Sequence, residues 1–132
     1  MDKELNIQKL MEQHVMLSKI IRESNKITTD QGNLTVVQFY LLSKIKSQGA
    51  GFEAIEFAKK LGQNQSSISA TISRMVGRGY LNSVFKNSDR RKHEFKLTDR
   101  GHNIYEAALK HVNSQMMKEH HLISEQLGIN VD

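Results

Sequence analysis

The stretch from Glu53 to Gly79 sets two short amphipathic helical patterns on either side of a turn, and few folds admit that arrangement. In the first pattern Ala54, Phe57, Ala58 and Leu61 recur at i, i+3, i+4 and i+7, one face of a helix. Lys59 and Lys60 stand in its last turn, where the helix dipole favours cations, and Gly62 supplies a left-handed stop. Asn64 is positioned to N-cap a second helix whose apolar stripe is Ile68, Ile72, Met75 and Val76. That helix is expected to carry Arg78 in its last turn and to end at Gly79. Its opposite face holds Ser66, Ala70, Ser73 and Arg74, flanked by Ser67 and Ser69, and no acid occurs between Glu56 and Asp89. A solvated helical hairpin ordinarily mixes Lys, Glu and Arg on its outer face. A lean face without acids suits close approach to a polyanion, and the pattern reads as a helix-turn-helix.

Charge follows the same stretch. The 132 residues carry a formal net charge of +5. Lys59 to Arg100 holds ten Lys/Arg against Asp89, Glu94 and Asp99, a net of +7, whereas the other ninety residues hold nine against eleven, a net of −2. Basic charge confined in this way is the footprint of a phosphate-contacting surface. The absence of cysteine excludes disulfides, thiolate metal sites and thiol nucleophiles. The absence of proline favours long helices. The chain opens Met-Asp-Lys-Glu with no apolar signal core, and no apolar run approaches a membrane span, so a cytoplasmic protein with no membrane partner is expected.

Residues 3 to 24 read as one helix, with Ile7, Leu10, Leu17, Ile20 and Ile21 on or near one face and Met11 and Val15 widening it. Ser24 to Asn33, which contains Asn, Thr-Thr, Asp and Gly, reads as a loop. Thr35-x-x-Gln38 is a capping-box signature opening a helix to about Ser47, and its apolar side chains surround so much of its circumference that it is expected at the core centre. After Gly79 the period falls to two. Leu81, Ser83 and Phe85 alternate with Asn82 and Lys86, Val84 being the exception, and His93, Phe95 and Leu97 alternate with Glu94 and Lys96. Asn87 to Lys92 between them reads as a turn, which makes a hairpin with a long basic tip. Thr98 is positioned to cap a final helix running to about His121, with the remaining residues a short extension.

Catalytic and metal chemistry find little footing. His14, His111, His120 and His121 include no His-x-x-x-His pair, so no metal and no cofactor is expected. There is no Gly-rich phosphate loop, and Ser66 to Ser73 contains no His or Lys at nucleophile-activating spacing, so an enzyme is not expected.

A helix-turn-helix followed directly by a hairpin with a basic tip is a winged helix, and here the chain resembles the MarR (multiple antibiotic resistance regulator) transcription factors over about Leu34 to Gly101. The landmarks are Leu34-Thr35-x-x-Gln38, Phe57-Ala58-x-x-Leu61-Gly62, Ser66-x-Ile68-Ser69 and Arg78-Gly79-Tyr80-Leu81. The most specific is Asp89-Arg90-Arg91 followed by Leu97-Thr98-x-x-Gly101. Two departures stand out: Glu53 occupies a cap position where the family usually has Thr or Ser, and only about thirty residues follow Thr98.

The resemblance implies a mainly α fold with a small β-hairpin. A winged helix-turn-helix core over 34–100 and helical dimerisation regions over 1–33 and 101–132 would form one domain. It implies a homodimeric regulator, most simply a repressor, on a pseudo-palindromic double-stranded DNA operator. It also implies a small-molecule effector between the dimer helices and the core, with Arg22, Phe39 and Tyr40 as lining residues. Gln65, Ser66, Ser67, Ser69 and Ala70 are expected at base edges, and Arg74, Arg78, Lys59 and Lys60 at phosphates. Asp89, Arg90, Arg91 and Lys92 form the expected wing tip, with Arg91 in the minor groove and Asp89 orienting it or a neighbouring arginine. The alternative is a winged helix that works without an inducer, as an accessory DNA-binding or protein-interaction module.

Overall fold

Asp2 starts the first helix. Its carboxylate accepts from the Glu4 N–H at 3.0 Å, and α1 (Lys3–Ser24) follows in the computed structural model. The structure describes all residues except 1, 87–88, 113–116 and 129–132, and describes side chains except also those of residues 24, 85–86, 89–93, 119, 123 and 126–127.

The loop expected over Ser24 to Asn33 is instead a hairpin, β1 (Lys26–Thr29) paired antiparallel with β2 (Gly32–Thr35). Two inward side chains account for the difference: Ile27 lies opposite Leu34 and both are fully buried. Thr29 closes the turn, its hydroxyl donating to the Gly32 carbonyl at 2.7 Å and accepting from the Gln31 N–H at 3.1 Å. Gly32 sits at φ +136°, a backbone that side-chain-bearing residues rarely adopt.

The capping box forms as read. Thr35 Oγ1 accepts from the Gln38 N–H at 3.1 Å while Gln38 Oε1 accepts from the Thr35 N–H at 3.0 Å. The helix it opens, α2 (Val36–Gln48), buries Leu41, Leu42 and Ile45 and runs through the core. A 3-10 turn, Gly49–Gly51, leads to α3 (Ala54–Leu61) and α4 (Gln65–Gly77). Helix α4 stops earlier than expected: Arg78 is its C-cap and Gly79, at φ +81°, lies beyond it.

The wing pairs β3 (Leu81–Lys86) with β4 (Asp89–Leu97) from Leu81↔Leu97 to Phe85↔His93. Asp89 to Lys92, expected in a turn, belong to β4, and the register shifts between Phe85 and Lys86 to accommodate them. The expected final helix is described over α5 (Asp99–His111) and α6 (Met117–Leu127), residues 113–116 lying outside the described residues. Helix α5 lies on β1 and α2, whereas α6 lies on α1. Helix α6 continues to Leu127, into the residues expected as a short extension.

One junction ties the helix-turn-helix to α5. The Thr98 hydroxyl donates to the Gly79 carbonyl and accepts from the Gly101 N–H, and the Thr98 N–H donates to the Tyr80 carbonyl at 3.1 Å. A Cβ on Gly101 would stand 2.1 Å from that Tyr80 oxygen, closer than any real contact. Gly101→Ala is therefore expected to lower stability by about 1–3 kcal/mol through overpacking against backbone. Urea unfolding reads this directly, and an unchanged midpoint would mean that the junction relaxes freely.

Candidate nucleic-acid interface

Helix α4 presents its surface through a division of faces. Ile68, Ile72 and Met75 are buried against the core, while Gln65, Ser66, Ser67, Ser69, Ala70, Ser73 and Arg74 are exposed. The proposed base-reading side chains thus share one accessible surface at the N-terminal half of the helix, and Arg74 continues it one turn on.

Asn64 builds the leading end. Its Oδ1 accepts from the Ser67 N–H at 2.8 Å and from the Ser66 hydroxyl at 2.8 Å. The Ser66 proton is therefore committed to the cap, leaving its oxygen as an acceptor. Thr71 donates back to the Ser67 carbonyl at 3.0 Å, a contact not foreseen in the sequence pattern. The first turn of α4 has no acidic residue, so the positive end of its dipole is not offset there.

The two lysines of α3 are exposed but differently placed from Arg74. Glu56 lies 3.9 Å from Lys59, and at such exposure the pair contributes little stability while reducing the local positive field. Lys60 lines an open recess with Lys44, Glu53 and Glu56. Glu53 takes the N-cap position of α3 without a side-chain capping bond, consistent with the departure noted at that position. Arg78 is exposed at the opposite end of α4, beside Arg100, Tyr80 and Asn33. That grouping joins three chain segments and has no local sequence signal.

The wing is held from below. Phe95 packs edge-on to Phe52 with ring centroids 6.3 Å apart, and Leu97 is half-buried against the core. Lys96 lies 3.8 Å from Glu94. The side chains of Asp89, Arg90, Arg91 and Lys92 lie outside the described residues. Among the described residues no His, Asp and Glu gather in threes as a metal ion would require, and no helix is long and apolar enough to cross a membrane.

Residues 34–93 match the model of the MarR family. Among solved structures, the chain is similar to a MepR-like protein complexed with pseudoligands, with 27% identity and a TM-score of 0.64 over 89% of this chain and 80% of that one. It is also similar to a MarR mutant from E. coli complexed with operator DNA, at 24% identity and a TM-score of 0.66 over 100% of this chain and 90% of that one. The Bordetella bronchiseptica regulator BpsR, whose DNA binding is regulated by 6-hydroxynicotinic acid, shares 21% identity at a TM-score of 0.63 over 85% and 76% of the two chains. No match is found among curated proteins.

The cap at Asn64 is open to direct measurement. Asn64→Ala removes the acceptor of both bonds and is expected to cost about 1 kcal/mol, whereas Asn64→Asp keeps an acceptor and should stay near the wild-type stability. Chemical denaturation of both variants distinguishes this cap from an incidental contact, which would leave the two alike.

Proposed function

This chain carries the winged helix of the MarR family, whose members are DNA-binding transcription regulators, and on that premise we propose that it is a cytoplasmic homodimeric repressor occluding a promoter. The observation that carries the reading is the exposed, acid-free face of α4 at the positive end of its dipole, with Arg74 on the same surface. Two such helices, seated in major grooves about 34 Å apart, would read a pseudo-palindromic operator. In this reading Gln65, Ser66, Ser67, Ser69 and Ala70 approach base edges, with Gln65 suited to bidentate contact with adenine. Arg74 and Arg78 bind phosphates, with smaller contributions from Lys59 and Lys60, which share their surroundings with acids. The Asp89–Lys92 tip follows the backbone, Arg91 entering the minor groove.

Dimerisation is supported by what α1 leaves uncovered. Leu5, Ile7, Leu10, Met11, Val15, Met16 and Ile21 are exposed along it, as are Met117 and Leu122 on α6, which packs beside it. Only Leu17 and Ile20 among its large apolar residues are half-buried. A 22-residue helix so poorly covered draws its stability from a further surface, and a second copy supplies one. On this reading 34–100 is the DNA-binding core and 1–33 with 101–132 the dimer region of one domain. Release by a small effector in the cleft between them is supported by the pseudoligand complex of the MepR-like relative. Phe39, stacked on Tyr105 at 5.2 Å, and Tyr40, tilted against Phe57 at 5.4 Å, would then wall that cleft, with Arg22 exposed on α1.

Binding curves on operator and scrambled duplex at two salt concentrations test the DNA roles. Arg74→Ala should weaken both duplexes alike and reduce the salt slope by about one unit. Gln65→Ala should cost about 1–3 kcal/mol on operator alone. Equal affinity of the wild type and Arg74→Ala for both duplexes would sink the docking model.

Sedimentation equilibrium tests the assembly. The wild type is expected as a dimer at micromolar concentration, and Leu10→Glu combined with Val15→Glu is expected to be monomeric or unfolded. A stable wild-type monomer would remove the basis for the two-groove operator.

A further inference from the structure

Arg78 and Arg100 face a common open recess of about 440 Å³ whose other lining residues are Asn33, Gly77 and Tyr80. Among the described residues no acidic side chain lines it and neither arginine forms an ion pair. We propose that this recess is a binding site for a small oxyanion, the phosphate or carboxylate group of a metabolite.

Donors suited to such a group border the recess. The Arg100 guanidinium lies over the buried Tyr80 ring, 5.5 Å from its centroid, a contact that favours this placement of an otherwise exposed side chain. Arg78 is the C-cap of α4, its N–H donating to the Arg74 carbonyl at 2.9 Å while the next N–H, of Gly79, donates to the Val76 carbonyl at 3.0 Å. The two residues flank the junction at which Thr98 binds Gly79 and Tyr80 and Gly101 packs against the Tyr80 oxygen. Little ordering of the backbone is therefore left for binding to impose. Two forked guanidinium groups with an amide alongside match the geometry of phosphate or carboxylate, which a single lysine would not. Asp99, next to Arg100 in sequence, is exposed and does not line the recess.

The site is distinct from the cleft proposed for an effector beneath α1. An anion seated here would also withdraw Arg78 from the DNA backbone, a consequence that rests on the DNA-binding reading; the occupancy itself does not.

Titration of the full-length protein with potassium phosphate and, separately, sodium benzoate, at ionic strength held constant with chloride, tests occupancy without DNA. At least one probe is expected to saturate, with backbone amide shifts centred on Gly77, Arg78, Tyr80 and Arg100. Arg78→Gln and Arg100→Gln are each expected to weaken binding about tenfold, and Arg100→Lys, which keeps charge but loses the fork, to weaken it by less. Circular dichroism confirms that each variant is folded. Non-saturating responses equal to that of chloride would overturn the proposal, as would saturable binding that both glutamine variants leave unchanged. If neither probe saturates while Arg100→Gln weakens duplex binding and lowers its salt slope, the recess serves the DNA backbone, and the free-anion site is overturned.

Discussion

A single threonine hydroxyl joins the two halves of the winged helix. Beyond the C-terminus of α4, the carbonyls of Gly79 and Tyr80 lie outside the helical bonding pattern and need donors. Thr98 satisfies both, one with its hydroxyl and one with its backbone N–H, while the same oxygen accepts from Gly101 to cap α5. The exit of α4 and the entrance of α5 are thus one structure, not two ends joined by a linker. Glycine at 101 follows from this closeness, since any side chain there would meet the Tyr80 carbonyl. Core packing continues outward from the same point through Tyr80, Leu81 and Ile104, all buried.

Electrostatics distributes the basic residues into unequal roles. Arg74 stands on the exposed face of α4 in its last turn, in a helix that contains no acid and whose C-cap is the basic Arg78. Lys59 and Lys60 share their surroundings with Glu53 and Glu56. A residue count gives these side chains equal weight; their neighbours do not. The wing adds a further constraint, because Phe95 on Phe52 fixes the base of β4 to the core and leaves the far end to follow its own register.

Much of this was legible because local chemistry repeats at fixed spacing. The capping box at Thr35 and Gln38, the stop at Gly62, the cap at Asn64 and the buried stripe of α4 all formed where their spacing put them. The hairpin of residues 26–35 was not, because each strand has four residues and a single fully inward apolar side chain, Ile27 or Leu34. Alternation over so short a span gives way to the Asn, Asp and Gly around it, although the β-branched run Ile27-Thr28-Thr29 was the available signal. Which elements α5 and α6 each lie on is a matter of tertiary packing, and a helical period carries no record of it. The same limit applies to the pairing of Arg78 with Arg100, which tertiary structure alone brings together.

The hairpin between α1 and α2 bears on how rigidly α1 is held against the core. Its ladder runs from Lys26↔Thr35 to Thr29↔Gly32, and the Val36 N–H donates to the Asn25 carbonyl at 3.0 Å just outside it. The end of α1 is thereby laced to the start of α2, and Gly32 at the hairpin tip comes close to Tyr80 and Ile104. A flexible linker here would act as a swivel; a hydrogen-bonded strap acts as the stiff arm of a calliper. If the chain dimerises through α1 and binds DNA through α4, the gap between the two α4 helices would be gauged by these ten residues. Tolerance for operators of unequal spacing would be correspondingly narrow.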